Sequence, residues 1–132
     1  AMGEFLSSRF EFMEYVTRDA VGVLQPALGR AGGLTESRRI AHIARDRGLM
    51  VVPHGWKTMI AVATLIHYSA SLDNCPYIEY PDPDLLLAPI LPKELAGPIP
   101  ELVDGHFALP TVPGMGVELN EETVERYRIR KE

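Results

Sequence analysis

The side chains best placed to do chemistry are one imidazole and two carboxylates. The run "LMVVPHGWKT" (49–58) carries an apolar stretch straight into His54. An imidazole titrates near pH 6.5 in water, so one held at the mouth of a cleft can act as acid or base close to neutrality. Glu79 stands in the otherwise apolar "PYIEY" (76–80), where burying a carboxylate is costly unless it has a partner, a metal or a proton. Glu4 precedes the first helical pattern; taken alone, a glutamate there simply complements a helix N-terminus. Gln25 closes "VGVLQ" (21–25) and Trp56 shapes the turn beside His54, and both are expected to line a substrate.

Each of these has a plainer reading. His54 could be a structural histidine bonding a loop carbonyl, and that reading is favoured for His42 and His67 within helices and for His106 in a turn. "GRAGG" (29–33) could cradle an anion with backbone N–H groups, but it lacks the dinucleotide fingerprint and the lysine-hydroxyl ending of a phosphate loop, so it reads first as a tight strand-to-helix turn. Cys75 has no second cysteine to pair with and reads as a small buried apolar side chain.

The elements that would position these residues are legible from spacing. "VGVLQ", "LMVVP" (49–53) and "PYIEY" are short β-rich runs suited to strands covered on both faces. Between the first two, "LTESRRIAHIARDRG" places Leu34, Ser37, Ile40, Ala41 and Ala44 at helical intervals, with Thr35 able to cap the start and Gly48 the end. "TMIAVATLIHYSASLDN" repeats the pattern with Ile60, Ala63, Leu65 or Ile66, and Ala70. Upstream, "SSRFEFMEYVTRDA" offers Ser7 or Ser8 as a cap and Phe12 with Val16 on one face. Parallel strands joined by helices put ligands outside the carboxyl ends of the strands, where His54, Glu79 and Gln25 stand.

After Tyr80 the character changes to the proline-rich "PDPDLLLAPILPKELAGPIP", through which a helix is hard to sustain. Asp104-Gly105 is a hairpin-turn dipeptide, and "PGMGVEL" leads to a short helix from Asn120 to about Tyr127. The chain has 132 residues and a formal charge of -5. That size suits one ordinary domain, and the charge argues against nucleic-acid or anionic-membrane partners. No apolar run approaches the roughly 20 residues needed to span a bilayer. The start lacks the order of a signal peptide, and a reducing cytoplasm is the expected location.

With these residues in place, the sequence closely resembles the C-terminal part of the barrel domain in the enolase superfamily, specifically the mandelate racemase and muconate lactonizing enzyme group. "QPALGRAGGLTESRRIAHIA", "VVPHGW", "YIEYPD" and "PGMGVEL" carry the resemblance. It implies an α/β fold, a partial (β/α)8 TIM-type barrel. Residues 1–88 would be the C-terminal half of the barrel, about its last three to four βα units. Residues 89–132 would be a tail of meander, hairpin and terminal helix packing against a capping domain.

The resemblance also implies roles: Glu4 as a metal ligand, His54 as the base on the seventh strand, and Glu79 as the eighth-strand glutamate that hydrogen-bonds the substrate carboxylate as it becomes an enolate. Ala27 falls where the family carries the sixth-strand aspartate that pairs with the histidine, so the usual dyad is broken. The whole protein would be a Mg²⁺-dependent acid-sugar dehydratase or racemase, a lyase or isomerase acting on a small carboxylic acid. One carboxylate is too few to hold Mg²⁺, so this chain alone is not expected to bind it or to be a competent enzyme. Open barrel edges would favour a homo-oligomer or association with an N-terminal half. The competing expectation, favoured by Ala27, is a non-catalytic binding or assembly module derived from the barrel; an open phosphate-binding domain using "GRAGG" is weaker.

Overall fold

The computed structural model describes residues 1–55, 58–80, 94–98 and 101–129. Four short stretches run parallel and side by side in chain order. Met2 bridges Leu24, and β1 (Val23–Leu24) pairs with β2 (Met50–Val51), with Leu24 opposite Val51. The same register recurs at Ala27 and His54. Residues 74–79 lie along the other side of β2: the Val51 N–H donates to the Asn74 carbonyl (2.9 Å) and the Glu79 N–H to the Pro53 carbonyl (3.2 Å).

The strands expected over 21–25, 49–53 and 76–80 are shorter or less regular than their apolarity suggests, and prolines explain the interruptions. In a parallel ladder each residue donates to one neighbour of its partner and accepts from the other. The bonds that would close the ladder at residues 26, 53 and 76 each require a proline N–H, which does not exist. Residues 76–80 are therefore extended along β2 without forming a regular strand.

Helices connect these stretches. α1 (Arg9–Thr17) starts after Ser8, where the Glu11 carboxylate accepts the Ser8 N–H at 3.1 Å, and it buries Phe12 and Val16. α2 (Gly33–Arg45) buries Ser37, Ile40, Ala41 and Ala44. It begins earlier than Thr35 would cap it, with Gly32 at the N-cap in a left-handed conformation, and Leu34 stays exposed in its first turn. Arg9 of α1 bonds Glu36 of α2 through its guanidinium (2.6 Å) and its backbone N–H (3.2 Å), tying the two helices together.

α3 (Met59–Ala70) starts at Thr58, whose hydroxyl accepts the Ala61 N–H. Its buried face is Met59, Val62, Ala63 and Ile66, with Leu65 and Tyr68 buried beside them, while Ala70 is exposed. The helix is apolar nearly all round, so periodicity alone does not select a face. Leu65 and Tyr68 join the main core with Leu24, Ile40 and Val51; Met59, Val62 and Ile66 form a second cluster.

Side chains alternate across a strand. Leu24 and Val51 are fully buried toward the helices, whereas Met50 on the opposite face is 37% exposed. Gln25, Ala27 and His54 share that opposite face. Asn74 fixes the turn after α3 by donating to the carbonyls of Ala41 (3.0 Å) and Leu49 (3.2 Å). The stretch that carries Glu79 is thereby anchored before it reaches the site.

The tail adds β3 (Ala96–Gly97), the hairpin of β4 (Leu102–Val103) and β5 (His106–Phe107), then β6 (Glu118–Leu119), which pairs antiparallel with β3. Asp104 and Gly105 turn the hairpin with φ of 48° and 76°, as a primed turn requires. Phe107 meets Tyr80 edge-on, with ring centroids 5.0 Å apart, and packs on the second cluster. α4 (Glu121–Arg126) follows Asn120, whose side-chain oxygen accepts the Thr123 N–H. The expected boundary at 88/89 and most of the proline-rich run lie outside the described residues. Among the described residues no helix is long and apolar enough to cross a membrane.

Candidate active site

Three of the residues singled out by sequence come together at the carboxyl ends of the parallel stretches. His54 lies where the β2 stretch ends, and its Nδ1 is 2.5 Å from Glu79 Oε2 and 3.3 Å from Glu4 Oε2. The imidazole is mostly buried; Glu79 is partly covered and Glu4 more open. An ionised carboxylate can only accept, so opposite one Nδ1 is the donor of this bond.

Ala27 is paired directly with His54 across the β1–β2 ladder and is buried. Its methyl group offers the imidazole no hydrogen-bonding atom. The neighbour on the other side of β2 supplies a carboxylate instead, that of Glu79.

Gln25 lies two residues before Ala27 on the same face and lines a cleft of about 340 Å³ with Gly3 and Glu4. A second pocket of about 350 Å³ is lined by Ala27, Leu34, His54 and Gly55, together with Gly29 and Gly33 of "GRAGG". Trp56 lies outside the described residues. His42 and His67 lie in α2 and α3, and His106 Nδ1 is 2.7 Å from the Asp104 carbonyl in the hairpin turn.

Two glycines set the geometry: Gly55, which the sequence marks only as shaping the turn beside His54, and Gly3, which it does not mark at all. A Cβ on Gly55 would overlap the Glu79 carbonyl oxygen and the Leu65 side chain, so the bare Cα lets residues 78–79 close onto the end of β2. Gly3, at φ 132°, lies so close to the Phe12 ring that a side chain there would collide with it; Glu4 follows directly. The only sequence signal was a glycine beside each chemically capable residue.

Among the described residues, no group of three His, Cys, Asp or Glu side chains is placed to share a metal ion. Glu4 could give one carboxylate ligand, and its Oε2 is already directed at His54. Mg²⁺ takes octahedral oxygen ligation, which these residues do not supply by themselves.

Comparison with known proteins gives this arrangement its context. Residues 1–123 match the family described as enolase C-terminal domain-like. D-galactarolactone cycloisomerase of Agrobacterium fabrum is 31% identical over 134 residues, covering 98% of this chain and 35% of that protein. D-galactonate dehydratase of Pectobacterium atrosepticum is 34% identical over 130 residues, covering 94% of this chain and 33% of the relative. The crystal structure of the 3,6-anhydro-D-galactonate cycloisomerase from Zobellia galactanivorans superposes with a TM-score of 0.82 at 32% identity, over 95% of this chain and 34% of that one. The chain thus spans about a third of the length of these relatives. Its parallel stretches and helices are part of a (β/α)8 barrel wall.

Proposed function

The chain belongs to the enolase C-terminal domain-like family, and from that premise we propose that it supplies the acid–base rim of an acid-sugar dehydratase or racemase that removes the proton α to a carboxylate. The observation that carries this reading is the convergence of the Glu79 and Glu4 carboxylates on Nδ1 of His54 at the ends of the parallel stretches. The dehydratase and cycloisomerases among the relatives support a small carboxylic acid as substrate.

In this reading Nε2 of His54 takes the α-proton, and the electron pair of the broken C–H bond moves into the adjacent carboxylate to give an enolate. The imidazolium formed is stabilised by the two carboxylates facing Nδ1. Returning the proton to the same carbon from the opposite face requires a second acid; returning it to a departing β-hydroxyl releases water and completes a dehydration. A divalent metal, Mg²⁺ by family resemblance, belongs to the whole protein, where Glu4 would be one ligand among others.

The test is exchange of the substrate α-proton with D₂O in the whole protein with Mg²⁺ and an acid sugar. Exchange is expected, and its persistence unchanged in His54→Ala would overturn the role of His54. Ala27 favours a second reading, a binding or assembly module that has lost its chemistry. Wild-type protein that binds an acid sugar without exchanging its α-proton would support that reading.

A further inference from the structure

We infer that Glu79 is the positioning residue of His54, taking over from the eighth-strand side the task for which residue 27 no longer has a carboxylate. The inference rests on the reading of His54 as the acid–base group, but the pairing itself stands on geometry. β2 has two neighbours. On one side, Ala27 is opposite His54 and offers only a methyl group. On the other, Glu79 places Oε2 2.5 Å from Nδ1.

Glu79 is better held for this task than Glu4. Its backbone N–H is bonded to the Pro53 carbonyl, one residue before His54, and its own carbonyl lies against the bare Cα of Gly55, one residue after. The main chain of Glu79 is therefore fixed against the residues on both sides of the one it serves. Glu4 is farther from Nδ1, at 3.3 Å, and more exposed. Glu79 thus holds the ring orientation and keeps the hydrogen on Nδ1, which leaves proton uptake to Nε2. This differs from a glutamate that only hydrogen-bonds the substrate.

The readout is the imidazole of His54 in the full chain, followed by ¹⁵N and ¹H NMR at a pH where the ring is neutral. The wild type is expected to show a pyrrole-type Nδ1 carrying a proton far downfield. In Glu79→Gln, which keeps the shape of the side chain, that proton should move upfield, because an amide oxygen is a weaker acceptor than a carboxylate. In Glu4→Gln, which removes the more distant carboxylate, it should move less than in Glu79→Gln. A wild-type ring protonated at Nε2 instead of Nδ1, or an Nδ1 proton that responds to Glu4→Gln but not to Glu79→Gln, overturns the inference. The α-proton exchange assay separates the two ideas: wild type that shows the Nδ1 signature without exchange defeats the acid–base reading and leaves the pairing standing.

Discussion

The carbonyl oxygen of Glu79 lies against Cα of Gly55, in the space a Cβ would fill. The obstacle is backbone rather than the end of a flexible side chain, so it cannot move aside cheaply. Gly55→Ala is expected to destabilise the chain by about 1–3 kcal/mol, the usual cost of overpacking. It should also push residues 78–79 away from His54. Denaturant unfolding would give the first effect, and loss of the downfield Nδ1 proton at native conditions the second. An alanine variant as stable as wild type, with that proton unmoved, would show that the contact does not position Glu79.

Ala27 and Glu79 flank the same imidazole from opposite neighbours of β2, which makes their substitutions interdependent. Alone, Ala27→Asp should change α-proton exchange by less than about tenfold, since Nδ1 already has a carboxylate. Glu79→Gln alone should lower exchange by about 10–100-fold, as loss of an orienting partner commonly does. The double variant should recover most of that loss, because the aspartate would reach Nδ1 from the β1 side. Additive effects in this cycle would mean that the two positions do not share the imidazole.

The face of the parallel stretches opposite the helices is incompletely covered. Met50 is 37% exposed there, while its neighbour Val51, facing the helices, is fully buried. An exposed apolar side chain on such a face favours association. Light scattering is expected to show self-association of the chain at high concentration, reduced by Met50→Lys. A monodisperse wild-type monomer would count against this.

Much of the fold was legible because local rules were strong where they applied. Phe12 with Val16, and Ser37, Ile40, Ala41 with Ala44, fall at helical spacing and are buried together. Asp104-Gly105 turns a hairpin because both residues adopt positive φ. Legibility failed where two signals competed. "PYIEY" has strand-like side chains, but prolines at 53 and 76 remove donors from its ladder. In α3 apolar residues surround the helix, so the buried face was set by which neighbours cover it. At the site, position along the strands placed His54 and Glu79 at the same rim, but whether Glu79 would turn to the imidazole depended on the backbone closure at Gly55, a contact between residues far apart in sequence.

The last prediction concerns alkaline stability and needs no substrate. Tyr68 is 3% exposed and donates its hydroxyl to the Ser37 carbonyl at 2.7 Å; burial, reinforced by the nearby Cys75, pushes its phenol above the ordinary value of 10.0. Burial likewise pushes the Cys75 thiol above its ordinary 9.0, against a smaller opposing effect of the Ser69 hydroxyl. Both groups are neutral when protonated, so the folded state holds their protons to higher pH than the unfolded chain does. Below about pH 9 both states are protonated and neither group makes stability depend on pH. Above that, the unfolded chain loses protons first and unfolding free energy falls, by up to about 1.4 kcal/mol per pH unit for each group titrating. The fall should begin near pH 9 with Cys75 and steepen near pH 10 with Tyr68. Cys75→Ala should remove the earlier onset. Tyr68→Phe should remove the steeper part and, by leaving the Ser37 carbonyl without this donor, cost about 1–3 kcal/mol at neutral pH. Urea unfolding at intervals from pH 7 to pH 11 would test the sequence of onsets, and a Tyr68→Phe curve parallel to wild type above pH 10 would rule out the phenol as its cause.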